Sequence, residues 1–487
     1  MNEFLSRFQC FATQYFALDV RSLAVLRIGM ALIMLGQLAF YFPMANDFFG
    51  ENGVLPAELH REALDHLGFE SAWTLYSISD NMSFVAGLML IHMVMAMWLL
   101  LGFFTRISTF TCLVLLWSLQ MRNPLITTGG DVLLRCMLAW SVFLPLGKAF
   151  SIDSKIDGLH LRAPEPVVNF ASAGLILQIV FMYFFAGIAK LNTSWLSGDA
   201  IQAALQLEMH VKPFGELVGR LPSFLLKLPT WFVLILELAI PLLVFPPRYV
   251  SFVRGMAAGL FMLLHLGIWL TMSIGIFSIA GMVAWLAFIP AQSWEPSHQD
   301  TQLNRQRTKQ QFENSLLARI LTFAMLVYMV LINMMNASPS FFASWGHRGL
   351  QSLGCGTMFI QEFKMFAQPP QWSPSFVYMG QSDTRNVDLF GKARRIQSSK
   401  SNYKQMFAQP WRRYHWNLLE LDLNQKEPAD PILEAMKFRL LQMHVKIWND
   451  SNNDQIVVAK LICFQNPIRI RATDTRTKQE RSWALWP

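Results

Sequence analysis

One lysine stands at the end of an apolar run, where it could act as a base. Lys190 lies in the segment YFFAGIAKLNTSW. A lysine amine held in a dry pocket loses its proton more readily than in water, and the neutral amine can then accept a proton from a substrate. The alternative interpretation is a lysine whose stem lies along apolar surface while its ammonium reaches water.

A second polar cluster precedes another apolar run, in the segment NPLITTGGDVLLR. Gly129 and Gly130 allow a tight turn, so we predict that Asp131 is the N-cap of the following helix. Arg135 lies one turn further along and could pair with Asp131. A functional alternative is that the Asp131 carboxylate faces Lys190 across a shared cavity and orients its amine.

Two further ionisable residues fall inside apolar runs. His265 lies in LLHLGIWLTMSIGIFS and Glu237 lies in LILELAIPLL. Such groups are costly in a bilayer and mark candidate sites. His265 is either a ligand or proton-relay residue or a histidine satisfied by a local hydrogen bond. Glu237, near Pro241, could pair with a cation or donate to carbonyls freed by the proline kink, and we interpret it as structural.

The elements that carry these residues are predicted membrane spans. Of the 487 residues, 53% are hydrophobic and 15% are charged, against about 25% charged in soluble domains. The apolar residues form blocks of about 20, which is the length that crosses a bilayer. We therefore predict an all-α polytopic bundle of about nine transmembrane helices, at 22–42, 83–103, 107–121, 131–147, 167–189, 230–246, 252–271, 273–290 and 317–336.

Three regions follow from this pattern. Residues 1–16 carry four aromatic side chains on one helical face and are predicted to form an amphipathic helix in the membrane interface. Residues 17–336 form the transmembrane domain. Lys and Arg are more frequent in alternate loops, which predicts a cytoplasmic N-terminus. With an odd number of spans, residues 337–487 then form an extracytoplasmic tail.

The tail is predicted to be a small, basic α+β domain. Lys and Arg balance Asp and Glu up to Asn336, so the whole net charge of +8 falls after it. This charge is either a solvated surface or a contact for anionic partners or lipid headgroups. Asp430 before Pro431 predicts a helix to about Trp448. Strands are predicted at 455–464 and 468–471.

The sequence lacks common signatures of soluble enzymes and metal sites. It contains no P-loop, GxGxxG, HExxH or GxSxG motif, and its five cysteines show no zinc-ligand spacing. We predict no metal and no nucleic-acid partner. Cys355 and Cys463 could pair if the tail is extracytoplasmic.

Four stretches of the sequence, in order, resemble the horizontally transferred transmembrane (HTTM) domain family, which includes the vitamin K-dependent gamma-glutamyl carboxylases and their bacterial relatives. The stretches lie between Asp19 and Pro290. They are DVRSLAVLRIGMALIM with FFGENGVLP, GFFTRIS with NPLITTGGDVLLRCMLAWSVFLPLGKAFSID, YFFAGIAKLNTSWLSGDA, and HLGIWLTMSIGIFS. The resemblance implies a multi-pass protein of the bacterial cytoplasmic membrane.

The resemblance also implies a role for Lys190. It matches the lysine taken to deprotonate vitamin K hydroquinone in the carboxylases, so the implied cofactor is a reduced quinone. Asp131 and His265 would assist as catalytic residues. The residues predicted to bind the cofactor are Trp195, Asn123 and Arg135.

Two differences from the carboxylases stand out near these positions. Asp131 occupies the place of a carboxylase histidine, and Ala189 stands where a second lysine is often found.

Two hypotheses of function follow. In the first, the protein is an enzyme that uses quinol oxidation to modify a secreted protein or a small substrate. In the second, it is a non-catalytic maturation or scaffold protein that holds a partner through its basic tail.

Overall fold

The structure, a computed structural model, consists of a helical bundle with a small α+β domain packed on one end. It describes residues 2–66, 74–158, 166–294, 315–337, 354, 367–382, 386–389, 409–423, 430–452, 455–468 and 479–486. The bundle comprises α1 (Asn2–Phe16), α2 (Val20–Tyr41), α3 (Ala45–Phe49), α4 (Ala57–His66), α5 (Met82–Leu101), α6 (Thr105–Arg122), α7 (Gly129–Ser141), α8 (Ile152–Ile156), α9 (Phe170–Ala189), α10 (Thr193–Leu196), α11 (Ala200–Ala204), α12 (Pro213–Gly219), α13 (Ser223–Val244), α14 (Val250–Thr271), α15 (Phe277–Leu286) and α16 (Leu316–Ala337).

Six helices in the described residues are long and apolar enough to cross a membrane. They are α2, α5, α9, α13, α14 and α16, and the first continues through a 3-10 turn to Phe49. Long apolar helices need no other backbone partners in a bilayer, because every internal N–H and C=O is bonded within the helix. The predicted multi-pass membrane protein is thus confirmed.

The other three predicted spans are shorter helices inside the bundle. The helix α7 has 13 residues and α15 has 10, against about 20 needed to span the hydrocarbon core. The helix α6 has 18 residues but carries several polar side chains. The predicted spans 131–147 and 273–290 therefore included loop residues, whereas 107–121 lies within α6, and the count of nine stays a prediction.

The break predicted within residues 252–290 is confirmed. Met272 is extended and ends α14, and Gly275 has a φ of +80°, which favours glycine. The short loop between α14 and α15 therefore turns the chain back into the bundle. This turn brings the N-terminus of α15 against the N-terminus of α7.

We expect Gly130→Ala to destabilise the bundle by about 1–3 kcal/mol, the range for overpacked cores. A Cβ at Gly130 would lie 2.4 Å from the backbone nitrogen of Phe277, so α7 and α15 would have to separate. The control is Gly87→Ala in α5, where a Cβ meets nothing within 4 Å. Thermal unfolding of both purified variants checks this, and equal melting temperatures would contradict it.

The tail folds into a four-stranded antiparallel sheet with two helices. The sheet order is β2 (Asn386–Asp388), β1 (Trp372–Ser382), β3 (Ile456–Pro467), β4 (Gln479–Trp486). The helices are α17 (Gln409–Leu423) and α18 (Pro431–Ser451). The predicted helix start is confirmed, because the Asp430 side chain accepts hydrogen bonds from the backbone N–H groups of Ile432 and Leu433.

Other predictions for the tail have mixed outcomes. The strand predicted at 455–464 is confirmed by β3. Ile468 lies just beyond β3, and residues 469–471 of the second predicted strand lie outside the described residues. Cys355 also lies outside them, so its pairing with Cys463 stays a prediction.

The tail contacts the bundle through side chains that donate to backbone carbonyls. Arg413 Nε donates to the carbonyl of Thr127 at 2.9 Å, and Asn417 donates to the carbonyl of Leu125 at 2.8 Å. In α18, Arg439 donates to the carbonyls of residues 51 and 53. The first two contacts hold α17 over the end of the bundle where α7 begins and α9 ends, and the contacts of Arg439 hold α18 against the loop that follows α3.

Candidate functional site

A cavity of about 820 Å³ lies between α9, α13 and α14 and is covered by α17 of the tail. Its wall is mainly apolar. The polar side chains in it come from separate elements, among them Lys190 after α9, Glu237 on α13 and His265 on α14. A largely apolar cavity with a few convergent polar groups is typical of a ligand site.

Lys190 forms a buried ion pair with Glu237. Lys190 is the C-cap residue of α9, and its Nζ lies 2.7 Å from Glu237 Oε2. Lys190 is 5% exposed and Glu237 is 7% exposed. The helices approach closely here, because Gly187 of α9 packs against Glu237 Cβ. The ammonium therefore does not reach bulk water, which excludes the alternative of a lysine extended to the surface.

Trp195 completes the surroundings of the amine. The Lys190 Nζ lies 5.3 Å from the centroid of the Trp195 ring. The indole is buried and lines the cavity. A cation over an indole face is stabilised by the ring quadrupole. Trp195, predicted to contact a cofactor, thus lies beside the predicted catalytic lysine.

His265 is held by a chain of two hydrogen bonds. Its Nε2 lies 2.5 Å from the Tyr183 hydroxyl, which also accepts from Trp285 Nε1 at 3.1 Å. An indole N–H only donates, so the Tyr183 hydroxyl accepts from Trp285 and its second contact is with His265 Nε2. Gly281 packs directly against the imidazole. His265 is therefore fixed in orientation on the wall that also carries Lys190.

Asp131 lies at the start of α7, away from the wall of the cavity. Its Oδ2 accepts from the backbone N–H and the hydroxyl of Thr128, and its Oδ1 accepts from Gln37 at 2.6 Å. Thr128 is the N-cap of α7, so the prediction that Asp131 is the N-cap was wrong by three residues. Asp131 instead closes a capping box. Thr128 and Gly129 are the residues of this turn that line the cavity.

Asn123 and Arg135 lie in the bundle interior behind this turn. Asn123 Nδ2 donates to the carbonyl of Phe48 at 3.2 Å. Arg135 Nη1 donates to Gln120 Oε1. The structure thus brings three of the six predicted site residues to one cavity, and it places Asp131, Asn123 and Arg135 outside the cavity lining.

Three residues at the mouth of the cavity were missed from the sequence. Arg413, Trp416 and Glu420 lie on one face of α17 and line the cavity. The Trp416 ring contacts the His210 ring at a centroid distance of 4.9 Å. The apolar spacing in QPWRRYHWNLLELDL could have predicted a helix. No signal in the sequence shows which surface that helix covers.

The profile of the HTTM domain matches residues 15–294, which is more than half of the chain. The chain belongs to the HTTM domain family. The matched part of this HTTM protein contains Lys190, Glu237 and His265, whereas the mouth residues on α17 follow it in sequence. No curated protein and no solved structure is detectably similar to the chain.

Proposed function

We propose that this integral membrane protein of the HTTM family is an enzyme that binds a reduced quinone and removes a proton from it. The observation that carries the proposal is the buried Lys190–Glu237 pair on the wall of the cavity. A buried base close to an apolar cavity suits a substrate that combines an apolar ring with an acidic hydroxyl. His265 supplies a further polar contact, through the imidazole that Tyr183 orients.

Two exposed residues support entry of the substrate from the bilayer. Phe232 on α13 is 48% exposed and Leu263 on α14 is 62% exposed, and both also line the cavity. Exposed apolar side chains on membrane-crossing helices face lipid. The cavity therefore reaches the lipid-facing surface between α13 and α14. A quinone dissolved in the membrane would enter there without passing through water.

We also propose an orientation and a second substrate. The N-terminus is cytoplasmic, the tail is extracytoplasmic, and the segments 107–121, 131–147 and 273–290, which contain the three shorter helices and their flanking residues, complete nine crossings of a bacterial cytoplasmic membrane. Oxidation of the quinol by dioxygen would drive modification of a secreted protein or a small substrate. The charged side chains of Arg413 and Glu420 at the mouth support entry of such a polar substrate from the tail side.

We expect Lys190→Ala to lower quinol turnover by at least about 100-fold, the range for loss of a side chain that takes part in proton transfer. The assay follows oxidation of menadiol to menadione by dissolved dioxygen in the presence of the purified full-length protein in lipid nanodiscs. The control is Lys212→Ala, because Lys212 also lies over an indole, with its Nζ 4.8 Å from the Trp269 ring, and it does not line the cavity. Unchanged turnover in Lys190→Ala would rule out this residue as part of the catalytic machinery.

The second candidate function is a non-catalytic scaffold that binds a partner protein through its tail. It is favoured by the position of the net charge, all of which falls after Asn336. In that case a strain whose protein lacks residues 338–487 would behave like a strain without the protein. Lys190→Ala would have no effect on the cells. The two candidates therefore predict opposite results for the same lysine variant.

A further inference from the structure

We propose that Glu237 is the catalytic residue that accepts the substrate proton, and that Lys190 remains an ammonium that stabilises the resulting anion. This assignment rests on the proposed function, since it concerns the same cavity and substrate. The resemblance to the carboxylases implies that Lys190 is the base, and the sequence alone suggested a structural role for Glu237. The assignment proposed here differs from both.

The geometry of the pair supports this exchange. Lys190 Nζ lies 2.7 Å from Glu237 Oε2, the length of a charge-assisted hydrogen bond. An ammonium has no lone pair and cannot accept a proton, whereas a carboxylate has lone pairs on both oxygens. In the described part of the chain, Lys190 is the only hydrogen-bond partner of the Glu237 carboxylate. The carboxylate therefore keeps accepting capacity beside the cavity.

The charges of the pair balance before and after the transfer. Ammonium and carboxylate together carry no net charge, which lowers the cost of burying them. In the step, the O–H bond of the quinol breaks and its electron pair stays on the oxygen. The proton bonds to a carboxylate oxygen of Glu237, and the quinolate oxygen accepts a hydrogen bond from the Lys190 ammonium. No electron leaves the quinol in this step.

Two substitutions separate the roles of the two residues. Lys190→Arg keeps a positive charge at the position, but arginine is not deprotonated in proteins and cannot act as a base. Glu237→Gln keeps the size and a hydrogen-bond acceptor for Lys190 but removes the basic carboxylate. If Glu237 is the proton acceptor, Lys190→Arg retains at least about a tenth of menadiol turnover, and Glu237→Gln loses at least about 100-fold.

The opposite pattern overturns the assignment. If Lys190→Arg is inactive, or if Glu237→Gln keeps wild-type turnover, then Glu237 is not the acceptor, although the proposed function itself would stand. Absence of menadiol turnover in the wild type would instead contradict the proposed function. Melting temperatures of both variants are measured first, so that only folded protein enters the comparison.

A measurement on the wild type covers the case in which a variant fails to fold. Infrared difference spectra are recorded on addition of menadiol and of its dimethyl ether, which has no acidic proton. We expect the C=O band of a protonated carboxyl group on addition of menadiol but not of the ether. The frequency of this band should shift when the protein carries ¹³C-labelled glutamate. A spectrum without that band in the presence of bound menadiol contradicts proton transfer to Glu237.

Discussion

Replacing Lys190 by methionine is expected to destabilise the bundle by about 3–5 kcal/mol, the usual cost of leaving one partner of a buried ion pair alone. Glu237 is 7% exposed, so without the ammonium its charge would lie in an apolar wall and lose the one cation bonded to it among the described residues. Quinol turnover should be lost in the same variant. Melting temperature and menadiol oxidation measure the two effects.

The double variant Lys190→Met, Glu237→Met separates stability from chemistry. Replacing a whole buried ion pair by apolar side chains of similar volume is often neutral or stabilising. We therefore expect the double variant to recover the melting temperature of the wild type while turnover stays absent. A double variant as unstable as Lys190→Met would show that the instability does not come from the unpaired charge of Glu237.

The sequence predicted the lysine but not its partner, for a physical reason. Lys190 and Glu237 were both visible as ionisable residues in apolar runs. They lie on different helices, 47 residues apart, and only the packing of α9 on α13 at Gly187 brings them together. Asp131 was a plausible partner on charge alone. Its oxygens are already occupied by Thr128 and Gln37, and such side-chain contacts cannot be read from spacing.

The fold was predictable where one local rule dominates. Length and apolarity predicted the six long membrane helices, and the residues Asp430 and Pro431 predicted the start of α18. The short helix α15 and the placement of α17 depend on long-range packing instead. The tail is held partly by side chains that bond backbone carbonyls, as Arg413 does with Thr127. Every residue has a backbone carbonyl, so the sequence does not indicate which carbonyls accept these hydrogen bonds.

Acidification is expected to destabilise the tail domain, because its core holds two buried histidines. Burial lowers the pKa of His415 to about 4 and that of His444 to about 3. His415 Nδ1 donates to the carbonyl of Trp411 at 2.6 Å, and its Nε2 accepts from the Tyr378 hydroxyl. The neutral ring therefore satisfies both neighbours. The His444 ring packs on the Tyr378 ring at a centroid distance of 4.5 Å.

The sign of the effect follows from the lowered pKa values. In the unfolded tail both histidines take up a proton below a pH of about 6.5, whereas the folded tail does not until near pH 4. The unfolded state therefore binds more protons between these limits, and stability falls as the pH falls through that window. At pH 5 the loss is about 2 kcal/mol for each histidine.

Thermal unfolding of the full-length protein between pH 7.5 and pH 5 measures this slope. Hydrogen exchange in α17 and α18, corrected for the intrinsic effect of pH, then assigns the slope to the tail. The matched variant is His415→Gln, whose side-chain oxygen can still accept from Tyr378 but which does not titrate. We expect this variant to lose about half of the pH dependence of hydrogen exchange in α17 and α18, because His444 still titrates. A pH slope identical to that of the wild type would mean that His415 does not contribute to the acid sensitivity of the tail.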